Sequence, residues 1–333
     1  MSNHTLSLDA EALEALKSFL AKDPRVILIT HANPDGDALG STLALYAGLK
    51  SIKRKVKIAC IDGVPDKFKY LVDSQEVITD FDEQDFDGVI FVDCGHEKMS
   101  KFVDTKPRLL SGDMFSANID HHASNKGFAQ VNFVLTQAAA AAEIVMDILK
   151  ELQIKITPAI ATSLLTGLYT DTGSFMHQNT TPSVYSHCAE LVRKGGNIQT
   201  IAKNIFNTYD LKTLRLWGKV LSGLHITSDG AAIVGVERKD YESIGATRAD
   251  LEGVIDYINS IPEVQYSVML SEDEKGNVKA SLRTRKPDVD VKALAEKFGG
   301  GGHIKASGFM IPGGHLEKQI KWKIVQEDEK SSD

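Results

Sequence analysis

The stretch Arg25-Val26-Ile27-Leu28-Ile29-Thr30-His31-Ala32-Asn33-Pro34-Asp35-Gly36-Asp37-Ala38-Leu39-Gly40-Ser41 decides the fold. Val26 to Thr30 is a short, nearly continuous apolar and β-branched run, the signature of a strand buried on both faces. The loop HANPDGDALGS follows it, and a helical pattern runs from Thr42 to about Ile52. Upstream, Leu6 to Leu20 has the spacing of an amphipathic helix. Downstream, strand candidates lie at Val56–Cys60 and Val89–Asp93, with a shorter one ending near Asp120. Enough chain separates them for crossovers. The pattern predicts an α/β fold, a doubly wound and mostly parallel sheet.

The second half has a different rhythm. Helical patterns dominate from about Ala138 to Ser222, broken by the loop Asp171–Pro182. From Leu224 onward, strand patterns at Ala231–Val236, Val264–Leu270 and Val278–Thr284 alternate with helical ones at Arg248–Ser260 and Val291–Phe298. The acidic turn SEDEKGN suggests a hairpin, hence a smaller α/β domain with a mixed sheet. The expected division is a catalytic domain over 1–195, a helical linker over 196–223, a substrate-binding domain over 224–326 and a disordered tail over 327–333.

Composition narrows the function. The 333 residues are 42% hydrophobic and 25% charged, enough to bury a core and too much for general disorder. Net charge is −7, which argues against gripping long duplex DNA, since that affinity comes largely from neutralised phosphates. No apolar run nears the roughly 20 residues that span a bilayer, and no signal peptide opens the chain. Cys60, Cys94 and Cys188 lie far apart, so buried free thiols in a cytoplasmic protein are expected rather than a disulfide framework or a CxxC zinc site.

Four constellations carry chemistry. His31, Asp35 and Asp37 follow the first buried strand, where ligands bind in doubly wound folds. Asn-Pro-Asp-Gly is also an ordinary turn former. Asp93 ends another buried run. Asp120-His121-His122 follows a third, and adjacent histidines face different ways, so one can ligate while its neighbour addresses substrate. Asp171 ends a helical pattern, where a plain cap would also serve. Together they offer imidazole and carboxylate donors without thiolate, a set suited to Mn²⁺ or Mg²⁺. There are enough for two ions if one carboxylate bridges, and such a pair suits in-line displacement at phosphorus. A fifth element, Gly299-Gly300-Gly301-Gly302-His303, follows a strand pattern that carries Arg283, and residues 279–305 hold seven Lys/Arg against three Asp/Glu. Glycines let main-chain N–H groups approach a phosphate. A flexible linker is the bland alternative.

Taken in order, HxNPDxDxxGS (His31 to Ser41), Asp93, Asp120-His121-His122, TDTGSF (Thr170 to Phe175) and GGGH (Gly300 to His303) resemble the DHH phosphoesterase family. The likeness is to its stand-alone two-domain branch of NrnA-type oligoribonucleases and pAp phosphatases, over about Arg25 to Ile324. The resemblance implies a DHH domain, a DHH-associated domain and an active site in the cleft between them. It implies that His31 and Asp35 bind one Mn²⁺, that Asp37, His121 and Asp171 bind the other, and that Asp93 bridges them and helps hold the attacking water; Mg²⁺ is the alternative ion. It gives His122 a phosphate-binding or proton-donating role and makes Asp120 the orienter of a histidine. Arg283, Gly300, Gly301, Gly302 and His303 would hold the far end of the substrate. One departure stands out: Ala139-Ala140-Ala141 replaces the branch's Ser-Ser-Thr ahead of Glu143.

The expected activity is Mn²⁺-dependent hydrolysis of short oligoribonucleotides to mononucleotides, and of pAp to AMP, with no membrane or long duplex DNA as partner and a homodimer left open. Cyclic di-AMP or pApA hydrolysis is the enzymatic alternative. A nucleotide-binding sensor is the non-enzymatic one, and it should have lost a metal ligand, whereas none is missing.

Overall fold

A computed structural model describes residues 7–206 and 209–318. The chain divides into two compact units, 1–208 and 209–333. In the first, Asp9 caps α1 (Ala10–Ala21), its carboxylate accepting from the Ala12 N–H, so the helix starts four residues later than its apolar spacing suggests. The sheet is built from β1 (Arg25–Ile29), β2 (Lys55–Ala59), β3 (Val77–Ile78), β4 (Gly88–Val92), β5 (Phe115–Asp120) and β6 (Val131–Val134). All pairings are parallel and the order is β3-β2-β1-β4-β5-β6. The chain leaves β1 in one direction through β2 and β3, then returns to place β4 on the other side of β1. The carboxyl ends of β1 and β4 therefore flank the topological switch point, where such sheets open a crevice.

Alternate residues of β1 explain its apolar run. Val26 and Leu28 join the core beneath the helices, while Ile27 and Ile29 join a second core with Phe91, Phe102 and Leu109. On that second side the cover comes from the 95–114 segment with its short 3₁₀ turns. On the first side lie α2 (Gly36–Ser51), α3 (Ala141–Glu151), α4 (Pro158–Asp171) and α5 (Pro182–Arg193), followed by α6 (Ile198–Phe206).

Helix α2 begins at Gly36, six residues before the expected Thr42. Asp35 is the reason: its Oδ1 accepts from the N–H groups of Asp37 at 3.0 Å and Ala38 at 2.9 Å, a strong N-cap. Most of α2 is buried, and it meets α4 at near backbone contact. A Cβ on Gly40 would run into the Ser163 carbonyl and lie 3.0 Å from the Gly167 nitrogen. Main chain cannot yield as a side chain can, so Gly40→Val should cost about 1–3 kcal/mol of stability. A thermal melt of that variant with an unchanged midpoint would show that the crossing tolerates a side chain.

In the second unit, α7 (Leu211–Ser222) precedes β7 (His225–Ile226), β8 (Ala231–Val236), α8 (Arg238–Glu242), α9 (Val254–Ile258), β9 (Tyr266–Glu272), β10 (Val278–Arg283), α10 (Val291–Glu296), β11 (Gly301–His303) and β12 (Ala306–Ile311). The sheet order is β11-β12-β10-β9-β8-β7, antiparallel except for β8 with β9. The expected hairpin joins β9 to β10, with Asp273 accepting from the N–H groups of Lys275 and Asn277 at 2.8 Å. The segment 196–223, expected as a linker, is shared between the units. Helix α6 contacts α4, whereas Leu216, Trp217 and Val220 of α7 are core residues of the second unit. The segment 327–333, expected as a tail, lies outside the described residues.

Candidate metal centre and active site

Three strand ends and two helix ends of the first unit bring six side chains together. His31 follows β1, Asp35 and Asp37 sit at the start of α2, Asp93 follows β4, His121 follows β5, and Asp171 ends α4. Asp93 adopts φ +59, a left-handed conformation that aspartate tolerates better than most residues.

Two triads result, His31-Asp35-Asp93 and Asp37-His121-Asp171, each with ligand atoms within 4.8 Å of one another. His31 Nε2 lies 3.6 Å from Asp93 Oδ2 and 3.9 Å from Asp35 Oδ1. His121 Nε2 lies 3.6 Å from Asp93 Oδ1, 3.4 Å from Asp171 Oδ2 and 4.0 Å from Asp37 Oδ2. One Asp93 oxygen thus faces each histidine. Most of these separations are too long for hydrogen bonds yet short enough for groups sharing an ion. Asp93 Oδ1 is buried without a hydrogen-bond partner among the described residues, which costs free energy unless a positive charge meets it. The donor set therefore fits divalent cations.

Electrostatics agree. Burial pushes the Asp171 carboxyl up to about 7, with the Asp93 and Asp35 charges adding to the shift. Burial, then Asp93 and Asp171, hold Asp37 well above the usual carboxylate range, and burial with Asp93 raises Asp35. Burial opposes a charge on His31, but Asp93 and the Ala32 carbonyl outweigh it and raise the imidazole to about 9. Carboxylates crowded so closely call for positive charge among them.

Tautomers are set from behind. His31 Nδ1–H donates to the Ala32 carbonyl at 2.8 Å, so Nε2 is the ring nitrogen that faces the carboxylates. Asp120 Oδ1 accepts from His122 Nδ1 at 2.7 Å, and Asn125 Nδ2 donates to Asp120 Oδ2 at 2.6 Å. Burial alone would raise Asp120, but these two partners bring it below its usual range, and the same contact lifts His122 to about 9. A third grouping, Asp93-His121-His122, has its His122 Nδ1 already engaged in this way. His122 is also the accessible histidine, its side chain 40% exposed against 14% for His121 and 11% for His31.

Asp37 is held by the main chain. Its two oxygens accept from the N–H groups of Ala141 at 2.6 Å and Ala142 at 3.0 Å, at the start of α3. Gly167 makes room, because a Cβ there would strike Asp37 Oδ1. Glu143 braces the same turn: Oε2 accepts from the Ala139 N–H at 2.7 Å and Oε1 pairs with His187 Nδ1 at 2.7 Å. These holding contacts use N–H groups that alanine supplies as well as serine or threonine, so Ala139-Ala140-Ala141 preserves them. Neither Asn125 nor His187 stood out in the sequence. The Asn five residues after Asp120 was the available signal for the first; a histidine inside a helix gave none for the second.

Arg283 and Gly300–His303 belong to the second unit. Ala306 of β12 pairs with His303 on one side and Arg283 on the other, so the three share one sheet face. The glycines form a hairpin rather than a linker. Gly302 has φ +137, and a Cβ on it would lie 2.7 Å from the Ala306 carbonyl oxygen. Lys305 Nζ donates to the carbonyls of Lys286, Pro287 and Val289 at 2.6–3.0 Å, tying the loop after Arg283 to the hairpin. The three cysteines are free and buried. No helix among the described residues is long and apolar enough to cross a membrane.

Residues 25–168 match the model of the DHH family, N-terminal domain, and residues 231–326 match the DHHA1 domain. A bifunctional oligoribonuclease and PAP phosphatase NrnA of Thermus thermophilus is 32% identical over 94% of this chain and 90% of its own. Among solved structures, an exopolyphosphatase-related protein from Bacteroides fragilis superposes with a TM-score of 0.83, at 25% identity over 93% of this chain and 92% of that one. RecJ from Thermus thermophilus in complex with Mn²⁺ shares the fold at a TM-score of 0.50 and 15% identity, over 93% of this chain and 53% of RecJ. With both domain models matched in order and a relative aligned along almost its whole length, the chain belongs to the DHH family.

Proposed function

We propose that this protein is a cytoplasmic phosphoester hydrolase that degrades short oligoribonucleotides to mononucleotides and converts pAp to AMP, using two Mn²⁺ ions. The observation that carries the reading is the pair of triads whose histidines face opposite oxygens of the buried Asp93, its Oδ1 without a hydrogen-bond partner among the described residues. The full-length likeness to an oligoribonuclease and PAP phosphatase supports the substrate class.

His31 and Asp35 would hold one ion, Asp37, His121 and Asp171 the other, with Asp93 shared. Bound there, the ions supply an activated water and charge neutralisation for an in-line displacement at phosphorus. Asp93, shared between them, would help hold the attacking water. His122, its Nδ1 fixed by Asp120, presents Nε2 to the phosphate and gives the departing ribose oxygen its proton. Arg283, His303 and the N–H groups of Gly300, Gly301 and Gly302 bind a substrate phosphate remote from the scissile bond.

Such an anchor is short, and a net charge of −7 offers no long basic track to extra nucleotides. Ribonucleotides of two to about five residues should be cut faster than one of about 24, with duplex DNA inert. The measurement is kcat/KM against length at fixed salt with Mn²⁺, alongside pAp, pApA and cyclic di-AMP. Values equal to or rising with length would mean an open groove, and turnover of cyclic di-AMP alone would replace the substrate assignment.

A further inference from the structure

Within the second unit, α7 and α9 pack over one sheet face. Met269 of β9 lies in the core they form, but no residue of β10 does. Beyond that edge, Lys279, Ser281 and Arg283 of β10 line a groove of about 390 Å³ that Arg248 also lines. Leu251, Ile255 and Met269 make an apolar floor. Glu252 and Asp256 add acceptors suited to ribose hydroxyls or base N–H groups.

Arg248, Lys279 and Arg283 make no ion pair with any described residue, although this protein pairs many of its other surface cations. Alternate strand residues share a face, so Lys279 and Arg283 stand about 13 Å apart along β10 with Ser281 between them. That is two steps along an extended strand, the kind of repeat that successive phosphates of a single-stranded nucleotide chain can follow. An apolar floor between cationic ends suits a base flanked by phosphates.

We propose that this groove is an accessory nucleotide subsite. It takes the nucleotide of an oligoribonucleotide that lies beyond the one held at Arg283 and the glycine hairpin, with Lys279 and Arg248 on its phosphate and the apolar floor against its base. The inference rests on the phosphoester-hydrolase reading above and deepens it. A nucleoside bisphosphate ends before the groove, so the groove serves one substrate class and leaves the other untouched.

The experiment compares wild type with Lys279→Ala/Arg248→Ala and with Lys279→Arg, using pAp and a triribonucleotide with Mn²⁺. The double variant should lose about tenfold or more in kcat/KM on the trinucleotide, mostly through KM, and keep its pAp rate. Lys279→Arg should stay near wild type on both. Equal losses on the two substrates, or none, would overturn the subsite. Anisotropy of a labelled trinucleotide separates this from the parent reading. Were wild type to hydrolyse neither substrate, that reading would fail, while tenfold weaker binding by the double variant would still support the groove and equal binding would reject it.

Discussion

Asp93→Ala should lose at least about 10³-fold in kcat on both pAp and a diribonucleotide, while the thermal transition survives. Removing one preorganised charge-stabilising group from an active site costs about 10²–10³-fold, and Asp93 faces both triads at once. Survival of the fold follows from the cost that Asp93 imposes: its Oδ1 is buried without a hydrogen-bond partner among the described residues. Removing such a carboxylate relieves crowding on Asp35, Asp37 and Asp171, each of which it raises. The checks are steady-state rates at saturating Mn²⁺ and a calorimetric Mn²⁺ titration. Near-normal turnover would remove Asp93 from the centre of the site.

Arg283→Ala should reduce kcat/KM by about 10- to 150-fold, the equivalent of about 1.5–3 kcal/mol for a lost charge-assisted contact to phosphate. Its Nη1 donates to the Leu282 carbonyl at 3.0 Å, and it has no carboxylate partner among the described residues, so little of the fold depends on it. Mn²⁺ affinity should be unchanged, because no ligand of either triad lies in that unit. A collapse of metal affinity in this variant would refute the division of labour between ion-holding and phosphate-holding residues.

What could be read from the sequence tracks where side chains alone carry the information. The strands β1 and β4 announce themselves, since burial on both faces demands unbroken apolar runs. The edge strands β3 and β6 do not: two and four residues long, they exist because a neighbour supplies hydrogen bonds. Helix α2 starts ahead of its apolar pattern because a capping aspartate overrides the weak helix preference of Gly36 and Asp37. Helix α7 carried its message in Leu216, Trp217 and Val220, an apolar stripe that marks a core-facing helix rather than a connector. In the site, the ionisable residues were visible as types at strand ends. The N–H groups that hold Asp37 were not, because the main chain is the same at every position.

The strand order β3-β2-β1-β4-β5-β6 has a consequence for how the unit matures. Its ion-facing groups are drawn from positions 31 to 171, and no two-element fragment contains a full triad together with Asp93. Loop-closure entropy must be met for β1, β4, β5 and α4 before a cation finds more than scattered ligands. An ion held there favours only the finished unit and deepens the native basin without guiding the chain toward it. Ion loading would then act as a proofreading step: a chain that has failed to dock α4 lacks Asp171 at the site and would retain an ion poorly.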